Sequence, residues 1–587
     1  MKQFFRVFFA TALGAILGVV IIILLIVGIL VASSSKSILS TKYEKENVLL
    51  LRNVVTVGEI STPETPSFLS TVESESELGL VDMIRTLKTA ADDEKISGIV
   101  LDDVVLNAGY ATIWELADAL QNFKKSGKFV VGHFNTLSQK TYLLASVCDE
   151  ISMNAEGMAE FHGISSTSIH YKNLLEKIGL KPVMIRCGKY KSYVESVTEN
   201  KMSEANKEQK QAYINAIWKT YCAAIQKYRD VNGSQLNSFA DSVLVCLPTE
   251  LRAFGFIDKI QHADEFWNSV KTRMNIDLKK SVPTVSFRAY MDDCAEQEAA
   301  DTSYAHNIAV VIAQGSIGMG KSDEESIGSE TYVSLFKKIR KDSTVKSVIF
   351  RINSGGGSAL ASELIWREVA LTAQEKPVIV SMGDMAASGA YYIAAPGAKI
   401  IASPMTLTGS IGVFGLSMTA NGLLNKIGVN VDKVNTHPHS DFGNVSRDID
   451  AVEMRAIEKS IDKTYLTFKQ RVSEGRNLSV DFVEEIAQGR VWSGVDGLRI
   501  GLVDTLGGLN AALQEAIRLA EFSDEQEFGI QVYPKPKTLF DVVTEKLDFQ
   551  SSFVDKLVQD EELKTLLKNV PMKSGVYTQI QESMTIE

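Results

Sequence analysis

The sequence predicts an α/β protein made of two tandem copies of one βαβ domain behind an N-terminal transmembrane helix. Three observations predict it. Short β-branched runs alternate with stretches of helical apolar spacing, the signature of βαβ units. The chain matches itself, in order, at a separation close to that of Leu174 from Leu423. An uncharged apolar segment opens it.

From Val7 to Ala32 there is no charge, and Gly18 to Val31 is almost wholly Val, Ile and Leu. A spanning helix needs ~20 apolar residues. A secretory signal peptide has a shorter apolar core, although Ala32-Ser33-Ser34 imitates its cleavage site and leaves removal as the alternative. Lys2 and Arg6 precede the span, so the positive-inside rule keeps the N-terminus in the cytoplasm and exports everything after Lys36. Residues 1–36 are read as a short cytoplasmic end plus anchor.

The repeat is carried by four matches. Leu174-Leu-Glu-Lys-Ile-Gly-Leu180 parallels Leu423-Leu-Asn-Lys-Ile-Gly-Val429, and Gly98-Ile-Val-Leu101 parallels Ser347-Val-Ile-Phe350. One residue more aligns Tyr142-Leu-Leu-Ala145 with Tyr392-Ile-Ala-Ala395 and sets Ser138 opposite Ser388. Ala253-Phe-Gly-Phe-Ile-Asp258 resembles Arg499-Ile-Gly-Leu-Val-Asp504. Such a period is far too long for a solenoid and reads as a duplicated domain. The first copy is expected over 37–290 and the second over 304–534. Met291 to Ser303, acidic and Ala-rich, reads as the linker between them. Asn47 to Thr71, with Pro63 and Pro66, reads as a lead-in, and 535–587 as a charged amphipathic helical extension.

In the second copy the pattern predicts a strand over 347–353, a turn at Ser354-Gly-Gly-Gly-Ser358 and a helix over 359–374. A strand over 377–382, a helix over 387–395 and short strands at 400–402 and 410–414 follow.

Composition narrows the function. A net charge of -11 argues against a nucleic-acid protein. The five cysteines show no metal-ligand spacing and read as small buried residues rather than disulfides, and none of the seven histidines forms a zinc pattern. No metal and no cofactor are expected.

The chemistry is divided between the copies. Three consecutive glycines after the 347–353 strand let the backbone approach a ligand and aim amides at a developing negative charge, although a surface turn has the same composition. In Gly383-Asp-Met-Ala-Ala-Ser-Gly-Ala-Tyr391, Ser388 stands where a strand opens into a helix, flanked by small residues. It is either a nucleophile or a helix N-cap. The first copy lacks the glycine turn, and its Ser138 has no small neighbours and reads as a relic. That copy instead carries Arg186-Cys-Gly-Lys-Tyr-Lys-Ser-Tyr-Val-Glu195, in which Lys191 aligns with Ser440. One copy supplies a serine, the other a lysine. A surface position is the ordinary reading of a lone lysine; the complementary loss favours a general base. His437 and His439 are the rival bases.

At these residues the chain resembles the signal peptide peptidase A family in its long, tandem-repeat bacterial form. The marks are Gly188-Lys-Tyr-Lys-Ser192, Asn353-Ser-Gly-Gly-Gly-Ser358, Ala386-Ala-Ser-Gly389, Leu407-Thr-Gly-Ser-Ile-Gly412, Gly489-Arg-Val-Trp-Ser-Gly494 and Gly501-Leu-Val-Asp504. It departs at Gly355, where that family usually has proline, and at Ala390, where a second glycine is common. The resemblance implies two Clp protease/crotonase-like domains and a Ser/Lys dyad of Ser388 and Lys191. Ser410 would orient the lysine, and oxyanion donors would come from Gly356 or Gly357 together with Gly389. It also implies a homotetramer on the bacterial inner membrane, facing the periplasm and degrading cleaved signal peptides. A lysine serves as base only where burial lowers its pKa. A crotonase-like acyl-CoA enzyme and a non-catalytic membrane scaffold of the same fold are the other readings of such a sequence.

Overall fold

The computed structural model describes residues 46–62, 77–243, 247–300, 304–323, 326–522, 528–535 and 575–579. The expected anchor, and the extension from 536 apart from 575–579, lie outside the described residues. Among the described residues no helix is long and apolar enough to cross a membrane.

Each half of the chain builds a parallel sheet with the same strand order. In the first half the order is Thr284–Ser286, Asn47–Gly58, Ile96–Asn107, Phe129–Leu137, Glu150–Ala159 and Lys259–Ile260. In the second it is Phe528–Tyr533, His306–Gln314, Val345–Ser354, Val378–Ala387, Lys399–Ala402 and Thr505–Leu506. The central strands read as near-continuous apolar runs because helices cover both faces. Ile308 to Ala313 is buried throughout, as is Val348 to Phe350. The duplication read from sequence is thus a duplication of topology.

Four expectations are corrected. The lead-in is in fact the twelve-residue strand Asn47–Gly58, which pairs with Ile96–Asn107 along nearly its whole length. The linker lies largely within the helix Phe287–Ala300, whose Phe287, Tyr290, Met291 and Cys294 face the first core at helical spacing. The strand expected over 410–414 is split: Leu407–Gly409 and Val413–Thr419 flank Ser410. Within the extension, Gly575–Gln579 is a strand, not helix.

One strand leaves its own half. Lys181–Cys187, from the first copy, pairs antiparallel with Val413–Thr419 of the second, from Cys187 opposite Val413 to Lys181 opposite Thr419. Seven ladder positions fasten the copies together, and the chain that follows Cys187 is delivered into the second copy.

Candidate active site

Ser388 stands at the end of the strand Val378–Ala387. That strand bulges on the way: Ile352 pairs with Met382 but Ser354 with Ala386, so Gly383, Asp384 and Met385 arch out of the ladder with Val345–Ser354. Bulges re-aim a side chain at a strand end. Ser388 then adopts φ 60°, ψ −121°, a conformation costly for a residue with a side chain and typical of sites where the surroundings fix it. Its N–H donates to Gly409 O at 2.8 Å and its carbonyl accepts from Tyr392 N at 2.9 Å. It precedes the helix Gly389–Ala394, but its hydroxyl makes no capping bond. Ser138 does the opposite. With ordinary φ −70°, its Oγ accepts from Thr141 N at 3.1 Å and donates to Thr141 Oγ1 at 2.9 Å. The duplicated serines have separated into a helix cap and a hydroxyl free of capping duty.

Lys191 arrives from the first copy. After Cys187 the chain turns at Gly188, φ 107°, where an added Cβ would lie 2.4 Å from the Gln488 backbone. Tyr190 N–H donates to Gln488 O at 2.9 Å. Gly489 is the reciprocal contact: a Cβ there would lie 2.7 Å from Lys191 N. These two glycines let backbone from the two copies touch, and the lysine side chain runs inward from that point. Lys191 is 1% exposed and Ser388 0%. Lys191 Nζ donates to Ser388 Oγ at 2.7 Å, Ser410 Oγ at 3.0 Å and Ser410 O at 3.1 Å. All three partners are neutral oxygens. Burial therefore acts uncompensated and lowers the lysine pKa to about 7.

Ser410 is also at positive φ, 50°, held by its N–H donating to Arg490 O at 2.7 Å. Its Oγ lies 3.4 Å from Gly489 O, so the hydroxyl proton has an acceptor while the oxygen faces Lys191. Of the expected oxyanion glycines, Gly389 opens the short helix, where the first N–H groups have no intrahelical acceptor. Gly356, at φ 96°, donates its N–H to Ser354 Oγ at 3.1 Å. Gly357 belongs to the short strand Gly356–Ser358, registered with Ile317 on one side and Thr578 on the other.

His437 and His439 do not reach this site. They sit on the loop before the helix Ala451–Arg476, His437 against Thr436 and His439 against Asp450 and Glu453. The latter three form a cluster of ligand-type atoms, yet Asp450 caps that helix and Arg447 holds Glu453. Cys187 is half-buried rather than core, its Sγ 2.9 Å from Asp462 Oδ1; the four described cysteines are all free.

Residues that sequence reasoning did not assign hold the lysine loop. Gln209 donates to Tyr190 O at 2.9 Å and accepts from Val491 N at 3.1 Å. Arg490 stacks over the Tyr190 ring and pairs with Glu208. The segment Gly489 to Gly494 was legible as a motif, but nothing local says that its first glycine packs on a lysine some three hundred positions earlier.

Relatives that match most of this chain carry the names of proteases. Over 526 residues it is 33% identical to "Protease 4" of Haemophilus influenzae, covering 86% of this chain and 84% of that one. It is 33% identical over 477 residues to "Protease 4" of Salmonella typhi, covering 80% and 76%. It is 30% identical over 514 residues to "Serine protease SPPA, chloroplastic" of Arabidopsis thaliana, covering 87% and 75%. The model of peptidase family S49 matches twice, at residues 122–277 and 370–523, once in each copy. The chain belongs to peptidase family S49, in its long tandem-repeat form.

Proposed function

We propose that this protein is a Ser/Lys-dyad endopeptidase, with Ser388 the nucleophile and Lys191 the general base. The observation that carries the reading is the 2.7 Å contact between a fully buried lysine and a serine that caps nothing. A lysine with a pKa near 7 is substantially neutral at physiological pH and can take the Ser388 proton as Oγ attacks a peptide carbonyl. The tetrahedral oxyanion is received by backbone N–H groups of Gly389 and of the glycine turn. Gly356 N–H must exchange Ser354 Oγ for the oxyanion if it takes part, whereas Gly389 needs no such exchange. The leaving amine takes the proton from Lys191, and water, deprotonated by the same lysine, then releases the acyl group. Ser410 fixes the Nζ position through its hydroxyl and carbonyl.

Support for an extended peptide substrate comes from the chain itself. Gly575–Gln579 lies as an antiparallel strand between Gly356–Ser358 and Val413–Thr419. The site is therefore flanked by two edges able to bind a peptide through its main chain, the mode of β-strand addition. Cleaved signal peptides, apolar and left in the bilayer, fit an enzyme anchored through Val7 to Ala32 with both repeats on the outer face of the bacterial inner membrane. A homotetramer completes the reading.

The test uses the full chain in detergent and a fluorogenic signal-peptide-like substrate. Wild type and Ser138→Ala should cleave, and Ser388→Ala and Lys191→Ala should not. Cleavage by Ser388→Ala at the wild-type rate would remove the proposal.

A further inference from the structure

The largest fully buried side chain that the chemistry above leaves unused is Arg351. It sits on Val345–Ser354, three residues before Ser354 and the glycine turn. Two carboxylates of the first copy meet it. Arg351 Nε donates to Glu59 Oε2 at 2.8 Å, and Nη2 to Glu59 Oε1 at 3.2 Å. Arg351 Nη1 lies 2.9 Å from Glu115 Oε1. All three side chains are at most 1% exposed. Within its own copy Nη1 also donates to Ser381 Oγ at 3.0 Å and Met382 O at 3.3 Å. Ser381 and Met382 are the last two ladder positions before the bulge that aims Ser388.

The carboxylates are themselves anchored. Glu115 lies on the helix Tyr110–Lys124 and its Oε2 accepts from Leu509 N at 2.7 Å. Glu59 follows the strand Asn47–Gly58, and its N–H donates to Gln314 Oε1 at 2.9 Å. The bulge is tied to the same helix: Asp384 Oδ1 accepts from Ala111 N at 2.8 Å and from Thr112 N at 3.2 Å. Gly383 lies so close to Glu59 that an added Cβ would stand 2.6 Å from Oε1. The network thus ties the first copy, through Glu59, Glu115 and the helix Tyr110–Lys124, to Arg351, to the bulge, and to Gln314 and Leu509 of the second copy. A buried ion pair contributes little net stability, because desolvation offsets its attraction. Replacing such a group by apolar residues is often neutral or stabilising, so stability alone does not account for placing three ionisable side chains together here, one of them, Glu115, pushed up to about 7 by burial.

Resting on the dyad reading, we propose that Arg351 is a positioning residue: clamped by Glu59 and Glu115 of the first copy, it fixes the bulge at Met382–Ala386 and so sets the aim of Ser388 relative to the glycine turn. The first copy then contributes twice to the site, with Lys191 on one side and with this clamp on the other.

The test compares wild type, Arg351→Lys and Glu115→Gln as full chains. Three readouts are taken: kcat and KM for the peptide substrate, the rate of Ser388 labelling by a fluorophosphonate read by peptide mapping, and the melting temperature. Lysine keeps the charge but not the fork that reaches two carboxylates, Ser381 and Met382 together. The expected result is a kcat and a labelling rate lower by about 10²-fold in Arg351→Lys, the scale of a 1 Å misplacement. KM should change little, and the pH midpoint should stay with Lys191. If Arg351→Lys does not fold, Glu115→Gln, which conserves shape and the acceptor for Leu509 N–H, carries the test with the same direction expected. A folded variant with wild-type kcat and labelling rate overturns the positioning role and leaves the dyad intact. Failure of wild type itself to label at Ser388 overturns both.

Discussion

Lys191 and Ser388 lie 197 positions apart, in different copies of a duplicated domain, yet Nζ and Oγ meet at 2.7 Å inside a single chain. Under the proposed dyad neither copy is self-sufficient. The strand Lys181–Cys187 crosses from the first copy to the sheet edge of the second, and the lysine follows it in. Duplication allowed one serine to become a helix cap and the other to lose that role, while a lysine was kept on only one side.

That division gives a stability prediction. Lys191 titrates near 7 in the fold against about 10.5 for a free lysine. Between those values the unfolded chain binds the extra proton, so stability rises with pH across the window and is lowest below pH 7. Lys191→Met, of similar shape and uncharged, should be inactive yet melt higher than wild type at pH 6, by roughly 2–4 °C per ~1 kcal/mol recovered. The gap should close toward pH 10. Calorimetry at the two pH values reads it directly.

Ser138→Ala should behave as the loss of an N-cap. The expected cost is ~1 kcal/mol of stability, measured by denaturant titration, with kcat and KM unchanged. A loss of activity at retained stability would give Ser138 a role that its capping geometry does not suggest.

Gly489→Ala should damage the site without touching a reacting group. Its φ of 75° disfavours any side chain, and the new Cβ would stand 2.7 Å from Lys191 N. Lys191 must shift outward, and kcat should fall by about 10²-fold. Steady-state kinetics beside far-UV circular dichroism separate this from unfolding.

The strand Gly575–Gln579 occupies the two edges offered to a peptide. A chain ending at 574 should therefore show a lower KM with kcat unchanged. An unchanged KM would mean that peptides bind elsewhere.

The fold was most legible where both faces of a strand are buried. Ser347 to Asn353 and Pro377 to Met382 announced themselves as β-branched runs; the structure lengthens both, with Pro377 just outside its strand. Asn47–Gly58 was missed because Arg52 and Asn53 interrupt the run and two prolines follow; its partner strand, not its own pattern, makes it a strand. Phe287–Ala300 was hidden by its acidic exposed face, although Tyr290, Met291 and Cys294 already sat at helical spacing. Lys181–Cys187 carries the weakest signal, being only half-buried, and yet it is the strand that delivers Lys191 to Ser388. Residue types named Ser388 and Lys191 as candidates. Pairing across the copies, which brings them together, is a long-range choice of partner that no local pattern encodes.

The most direct test of the central claim is the pH dependence of kcat/KM for wild type beside Lys191→Ala. On the proposed dyad a neutral lysine is the working base, so wild-type kcat/KM should rise with pH through a midpoint near 7, and Lys191→Ala should lose both the activity and the titration. A Lys191→Ala enzyme that keeps the wild-type rate and the same midpoint would show that another group takes the proton from Ser388.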